Sequence, residues 1–196
     1  MRQGLGRTLG VSVVIIVGLI GRRGSGKSTA ASILTRTWGA RVISFAGPLR
    51  ELGAACGYSH NEMTDTRAKE MPGGKWGISW RTFAQTVGVA ARNVFGSTFW
   101  VDRWCGAVDT ANGFIVVDDT RFVEEVEAIR SRGGLLIHIV GRPQAGAADT
   151  HISETSVDEI SSHADVTITN DYGPGFEREL LECVRQRLGV GVSDAA

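Results

Sequence analysis

Cysteine is scarce in this sequence. Cys56, Cys105 and Cys183 are the only three in 196 residues, far apart and odd in number. They form neither a disulfide framework nor a pair with metal-ligand spacing, and free thiols suit a reducing cytoplasm. Net charge is lacking too, with 21 basic against 21 acidic residues. No overall field therefore draws the chain to a nucleic acid polymer or to a membrane surface. The first apolar run, over 11–20, is too short to span a bilayer and has no small-residue cleavage site behind it. Lysine is nearly absent: Lys27, Lys69 and Lys75 stand against 18 arginines. With such a bias, arginine abundance says little, and position has to carry the argument. Repeats and low-complexity blocks are missing as well. What remains, 42% apolar in 196 residues, describes one cytoplasmic domain with a sizeable core.

The most informative stretch is Gly21-Arg22-Arg23-Gly24-Ser25-Gly26-Lys27-Ser28-Thr29. It reads G-x-x-x-x-G-K-S, a phosphate-binding P-loop. Glycines let the backbone wrap a polyphosphate with its N–H groups inward. Lys27 brings a charge to the outer phosphates and Ser28 a hydroxyl for Mg2+. An apolar strand precedes the loop and a helix over 29–38 follows it, adding its positive end. A chance glycine turn after a strand is the bland reading, and the complete motif with both flanks opposes it.

Further along, Arg41 to Phe45 reads as a short strand. Ala46-Gly47-Pro48 turns into a helix ending near Cys56. Tyr58 to Gly77 is polar and irregular, a substrate cover or a plain surface loop. Ser79 caps a helix whose apolar face is Trp80, Phe83, Ala84, Val87, Ala91 and Val94. Arg81, Gln85, Gly88 and Arg92 share a different stripe of it, because eleven residues return to within about 20°. That stripe is an anion-binding wall or a solvated face. Arg81 and Arg92 lie about 16 Å apart along the axis, so they are suited to different parts of a ligand. Trp76, Trp80 and Trp100 are candidates for base stacking or for core packing.

Gly113 to Asp119 is a buried strand ending in two acids, Asp118 and Asp119, followed by Arg121. An acid at a strand end is the usual companion of a P-loop, where it orients Mg2+ or its water. Either aspartate fits that part. A helix over 122–132, a strand over 134–140, a strand over 165–169 and a closing helix over 176–188 complete the alternation. The segment 141–155, with Arg142, His151 and Glu154, is placed as a lid. The expected fold is α/β: a three-layer P-loop NTPase with a five-stranded parallel sheet and helices on both faces. It is read as a single domain over 1–196, with 58–97 as a substrate-binding insertion and 141–155 as the lid. The P-loop, the Asp118-Asp119-Thr120-Arg121 corner, Arg142 and Asn170 all fall at carboxyl ends of strands, where ligands bind in such sheets.

A P-loop implies a nucleoside triphosphate, not its use. A small-molecule kinase, a switch or motor NTPase and a non-catalytic nucleotide-binding module compete. No Asn-Lys-x-Asp guanine motif and no basic stripe appear, which disfavours the second.

Several separated motifs point further. They are the P-loop, Ser44-Phe45-Ala46-Gly47-Pro48-Leu49-Arg50, Trp80-Arg81 through Gln85, Gly88 and Arg92, and Trp100-Val101. They continue with Asp119-Thr120-Arg121-Phe122-Val123-Glu124-Glu125, His151-Ile152-Ser153-Glu154 and Asn170-Asp171. Across roughly residues 12–188 the chain resembles phage-type deoxynucleoside monophosphate kinases. The resemblance implies transfer of the ATP γ-phosphoryl group to a deoxynucleoside 5′-monophosphate, in host cytoplasm if the chain is phage-encoded. It implies that Asp119, Arg121 and Glu125 face the acceptor, helped by Arg81, Gln85 and Arg92. Arg142 would act from the lid and the Asn170 turn would lie near the ATP base. With Lys27 this makes Arg121, Arg142 and Asp119 the expected catalytic set, and Ser28 with Asp118 the expected Mg2+ ligands. The donor site would comprise Gly21, Arg22, Gly24, Ser25, Gly26, Lys27, Ser28, Thr29 and Asn170. Tyr172 departs from the usual Asn-Asp-Gly turn. A dephospho-coenzyme A kinase is the nearest alternative, and the sequence leaves a homodimer open.

Overall fold

The computed structural model describes residues 14–141 and 152–189, with side chains in the second stretch from residue 156. Five parallel strands form one sheet in the order β2-β3-β1-β4-β5. They are β1 Val14–Ile20, β2 Arg41–Val42, β3 Gly113–Thr120, β4 Leu135–Gly141 and β5 Val166–Asn170. The helices are α1 Lys27–Trp38, α2 Gly47–Ala55, α3 His60–Thr64, α4 Trp80–Phe95, α5 Phe99–Asp109, α6 Val123–Arg130, α7 Ile152–Ser161 and α8 Pro174–Leu188.

Side-chain alternation along β1 divides the core between two layers. Val17 and Leu19 pack with Ile33, Leu34, Phe176, Leu180 and Val184 under α1 and α8. Ile16 and Ile20 pack with Trp104, Val108, Val126, Ile129, Val157 and Ile160 under α5, α6 and α7. The expected three-layer arrangement is thus present. A third, smaller core joins α2 to α4 through Leu49, Tyr58, Trp80 and Trp100. Trp80 and Trp100 are therefore packing residues, while Trp76 is exposed.

Three local expectations need correction. The second strand stops at Val42, because the amides of Phe45 and Ala46 turn to the Asp119 carboxylate instead of the ladder. The stretch 58–77 is not irregular throughout. Ser59 and Glu62 form a capping box that starts α3, and a 3-10 turn spans Ala68–Glu70. Val94 is 73% exposed, so the apolar face of α4 ends at Ala91. Helix α7 was not expected at all. Arg142 and His151 lie outside the described residues. No described helix is long and apolar enough to cross a membrane.

Gly53 fixes how closely α2 meets α4, since a Cβ there would lie 2.3 Å from the Trp80 ring. Gly53→Ala should lower stability by about 1–3 kcal/mol through overpacking, read as a drop in Tm.

Candidate active site

The loop between β1 and α1 adopts the shape its glycines permit. Gly21, Gly24 and Gly26 have φ of 155°, 75° and 106°. A Cβ on Gly21 would lie 2.5 Å from the Ile139 carbonyl, and one on Gly26 would lie 2.0 Å from Asn170 Nδ2. The Lys27 ammonium folds back to donate to the carbonyls of Gly21 and Arg22, the latter at 2.9 Å. The Ser25 amide also closes on the Arg22 carbonyl at 3.1 Å, and its hydroxyl is buried against Gly21. Ser25 thus shapes the loop from beneath. Ser28 and Thr29 are exposed on the first turn of α1, where the helix dipole favours an anion.

Asn170 closes β5 directly under this loop. It is 2% exposed, donates from Nδ2 to the Ser25 carbonyl at 3.0 Å and accepts the Tyr172 amide at 2.9 Å. Both polar ends are engaged with backbone, so the side chain braces the loop. Tyr172, with a left-handed φ of 62°, donates its hydroxyl to the Gly24 carbonyl at 2.7 Å. Gly141 makes room for it, because a Cβ there would lie 2.7 Å from that hydroxyl.

A cleft of about 250 Å³ lies beside the loop, over the carboxyl end of β3. Its walls include Arg81, Gln85, Gly88 and Arg92 from α4, so the stripe read from helical spacing faces one cavity. Asp119, Arg121 and Glu125 line the opposite side, and Leu49 and Phe122 supply apolar surface. Arg50, which the sequence reading did not single out as a site residue, also lines it. Its position one turn into α2 was the available signal.

The acids at the end of β3 have separate duties. Asp118 Oδ1 accepts from the Ser44 hydroxyl at 2.6 Å. Asp119 spends both oxygens on the Phe45 and Ala46 amides, each at 2.9 Å. Burial and the neighbouring Asp118 charge push the Asp119 carboxyl up, against Arg50 and the two amides. Asp119 therefore lines the cleft while bracing its floor. Glu125 is buried at 3% exposure. Its Oε2 accepts the amides of Arg121 and Phe122 at 2.7 and 3.2 Å, which caps α6. Its Oε1 accepts from Arg92 at 3.3 Å, and the Arg92 guanidinium lies 3.8 Å over the Phe122 ring. Burial, then Asp119, push the Glu125 carboxyl up to about 8. It reads as a cap and an anchor for Arg92 more than as a free ligand group.

Arg81 and Arg92 engage different acids. Arg92 meets Glu125, whereas Arg81 meets Glu70 on the 3-10 turn. Glu70 also pairs with Arg23 of the loop at 3.0 Å. Arg22 points elsewhere, to Asp158 on α7.

The sequence profile of the family described as Deoxynucleotide monophosphate kinase matches residues 60–173. A protein of Acanthamoeba polyphaga mimivirus, provisionally named a deoxynucleotide monophosphate kinase, is 31% identical over 190 residues. That match covers 87% of this chain and 96% of the relative. This chain belongs to the deoxynucleotide monophosphate kinase family. The deoxynucleotide monophosphate kinase of Enterobacteria phage T4 is 33% identical over 102 residues, half of this chain and 40% of the phage enzyme. At 15% identity and a TM-score of 0.50, shikimate kinase from Aquifex aeolicus shares the fold, covering 90% of this chain and 99% of its own.

Two predictions follow from the geometry of this kinase. Between the ordinary Glu value of 4.5 and about 8, the folded chain holds a proton on Glu125 that the unfolded chain has released. Stability should therefore fall as pH rises through that window. Glu125→Gln should flatten that dependence, measured as Tm against pH. Tyr172→Phe removes one hydrogen bond to the loop and should raise the KM for ATP about fivefold with kcat little changed.

Proposed function

We propose that this family member transfers the γ-phosphoryl group of ATP to a deoxynucleoside 5′-monophosphate, with the P-loop as donor site and the 250 Å³ cleft as acceptor site. The observation that carries the assignment is the cationic cleft, with Arg50, Arg81, Arg92 and Arg121, linked to a complete P-loop through Glu70, which pairs with both Arg81 and Arg23. One anion site holds a triphosphate. A second beside it holds a phosphate that is to be joined to the first.

The acceptor phosphate is largely dianionic at neutral pH, its second pKa being about 6. No general base is needed to create a nucleophile. An acceptor oxygen forms the new P–O bond while the bond from γ-phosphorus to the bridging oxygen of ADP breaks, and the electron pair leaves with ADP. The work of the protein is to hold two anions in line and to stabilise charge as it shifts. Lys27 exchanges its carbonyl partners for the outer phosphates of ATP. The inward loop amides and the start of α1 hold the rest of the chain of phosphates. Arg121 and Arg81 hold the acceptor phosphate. Arg92, locked by Glu125 and Phe122, presents its charge from the far wall, and Gln85 is placed for the base or sugar.

A magnesium ion fits the oxygen donors present. The exposed Ser28 hydroxyl and the Asp118 carboxylate suit a hard cation that keeps several waters and substrate phosphates. It would supply charge neutralisation on the donor phosphates. Asp118 is the better candidate of the two acids, because the Asp119 oxygens are committed to amides. The segment 58–97 acts as the acceptor-binding insertion on this reading. The lid expected over 141–155, with Arg142, falls largely outside the described residues.

Incubation with Mg-ATP and each deoxynucleoside monophosphate, following ADP release, tests the assignment. At least one should stimulate release; stimulation by none would sink it, and by dephospho-coenzyme A alone would favour that alternative acceptor. Lys27→Ala and Arg121→Ala should each lower turnover about 10³-fold or more, with Tm retained.

A further inference from the structure

Four cations meet at the seam between the two halves of the site. Arg23 comes from the P-loop, Arg50 from α2, Lys69 from the 3-10 turn and Arg81 from α4. Lys69 is half-buried. Burial, then the charges of Arg81, Arg23 and Arg50, hold its ammonium below the ordinary lysine value. Such a gathering is unfavourable without an anion. Among the described residues, Glu70 bridges two of these cations. A single carboxylate oxygen, Glu70 Oε1, accepts from the Arg81 guanidinium and lies 3.0 Å from that of Arg23. A donor-side arginine and an acceptor-side arginine therefore converge on one oxygen atom.

We infer that Glu70 is a resident counter-ion that occupies, between Arg23 and Arg81, the seat of an acceptor-phosphate oxygen in the ligand-free protein. This rests on the division into donor and acceptor halves given above. The chemistry of the exchange is simple. A carboxylate carries one charge and two oxygens, whereas a phosphate monoester dianion carries nearly two charges and three oxygens. Arg23 and Arg81 can each keep a partner when phosphate replaces Glu70, and Glu70 leaves into solvent, its side chain being already 38% exposed. The device keeps the cations mutually arranged before substrate arrives. It also makes the carboxylate a competitor for the phosphate.

That competition gives the inference its sign. If Glu70 merely held its arginines in place, neutralising it would weaken acceptor binding. As a counter-ion in the phosphate seat, its neutralisation strengthens binding. The measurement is equilibrium binding, by calorimetry without ATP, of inorganic phosphate and of the deoxynucleoside monophosphate to the whole chain. Glu70→Gln and Glu70→Ala should both lower Kd, by about fivefold, the scale of one part-exposed ion pair. An unchanged or raised Kd in either Glu70 variant overturns the inference, as does binding undetectable throughout. Circular dichroism confirms that each variant is folded. The outcome is separable from the assignment of function. A wild type that phosphorylates no nucleotide removes the function, while the comparison of phosphate affinities still decides the role of Glu70.

Discussion

The constraint on which the site depends is where the P-loop carbonyls go. A loop whose amides face a polyphosphate must turn its carbonyls away, and those oxygens need partners. Each conspicuous one has a partner. The carbonyl of Ser25 takes Asn170, that of Gly24 takes Tyr172, and those of Gly21 and Arg22 take Lys27. Two of these partners come from the end of β5, nearly 150 residues away in sequence. The loop is thus held by the sheet as a whole, and its lysine is folded back on the loop carbonyls. Close packing at Gly21, Gly26 and Gly141 leaves no room for a side chain at any of the three.

The cleft side obeys a different constraint, the cost of gathering charge in partly covered places. Every acid there has several donors. Asp119 takes two amides, and Glu125 takes two amides and Arg92. These acids are structural on the evidence of their partners, yet they set where the arginines stand. Arg92 is fixed between a buried carboxyl and an aromatic ring, so its charge is delivered with little freedom. The α4 wall is in turn fixed by Gly53 against Trp80 and by the Trp100 indole, which donates to the Gly88 carbonyl at 3.1 Å.

Much of this was legible from sequence. The P-loop, the strand–helix alternation and the Arg81–Arg92 stripe each depend on short-range patterns, and each appears where the pattern put it. Asp118 and Asp119 were legible as a pair, but their division of labour was not. It depends on which amides the β2–α2 turn presents to them. Asn170 was legible as a residue at a strand end, but its bonds to the Ser25 carbonyl and the Tyr172 amide were not, the first of them joining segments far apart in sequence. Helix α7 was hidden behind a Gly- and Ala-rich lead, although Val157 and Ile160 stand at helical spacing. The Ser59–Glu62 capping box was readable by its spacing, and overlooking it made 58–77 seem irregular. Glu70 carried no local signal, since its arginine partners come from the P-loop and from α4. Tyr172 was visible as a departure, and its reason, a hydroxyl reaching Gly24, is purely tertiary.

The cleft described here is built from one contiguous stretch of chain, residues 45–125, while the loop and its braces lie at 21–29 and 170–172. The two halves are therefore separable in heredity. Substitutions within a single uninterrupted segment can remodel the cleft while leaving the loop and its braces at 170–172 unchanged. Among the described residues, the seam at Arg23, Glu70 and Arg81 ties the two histories together.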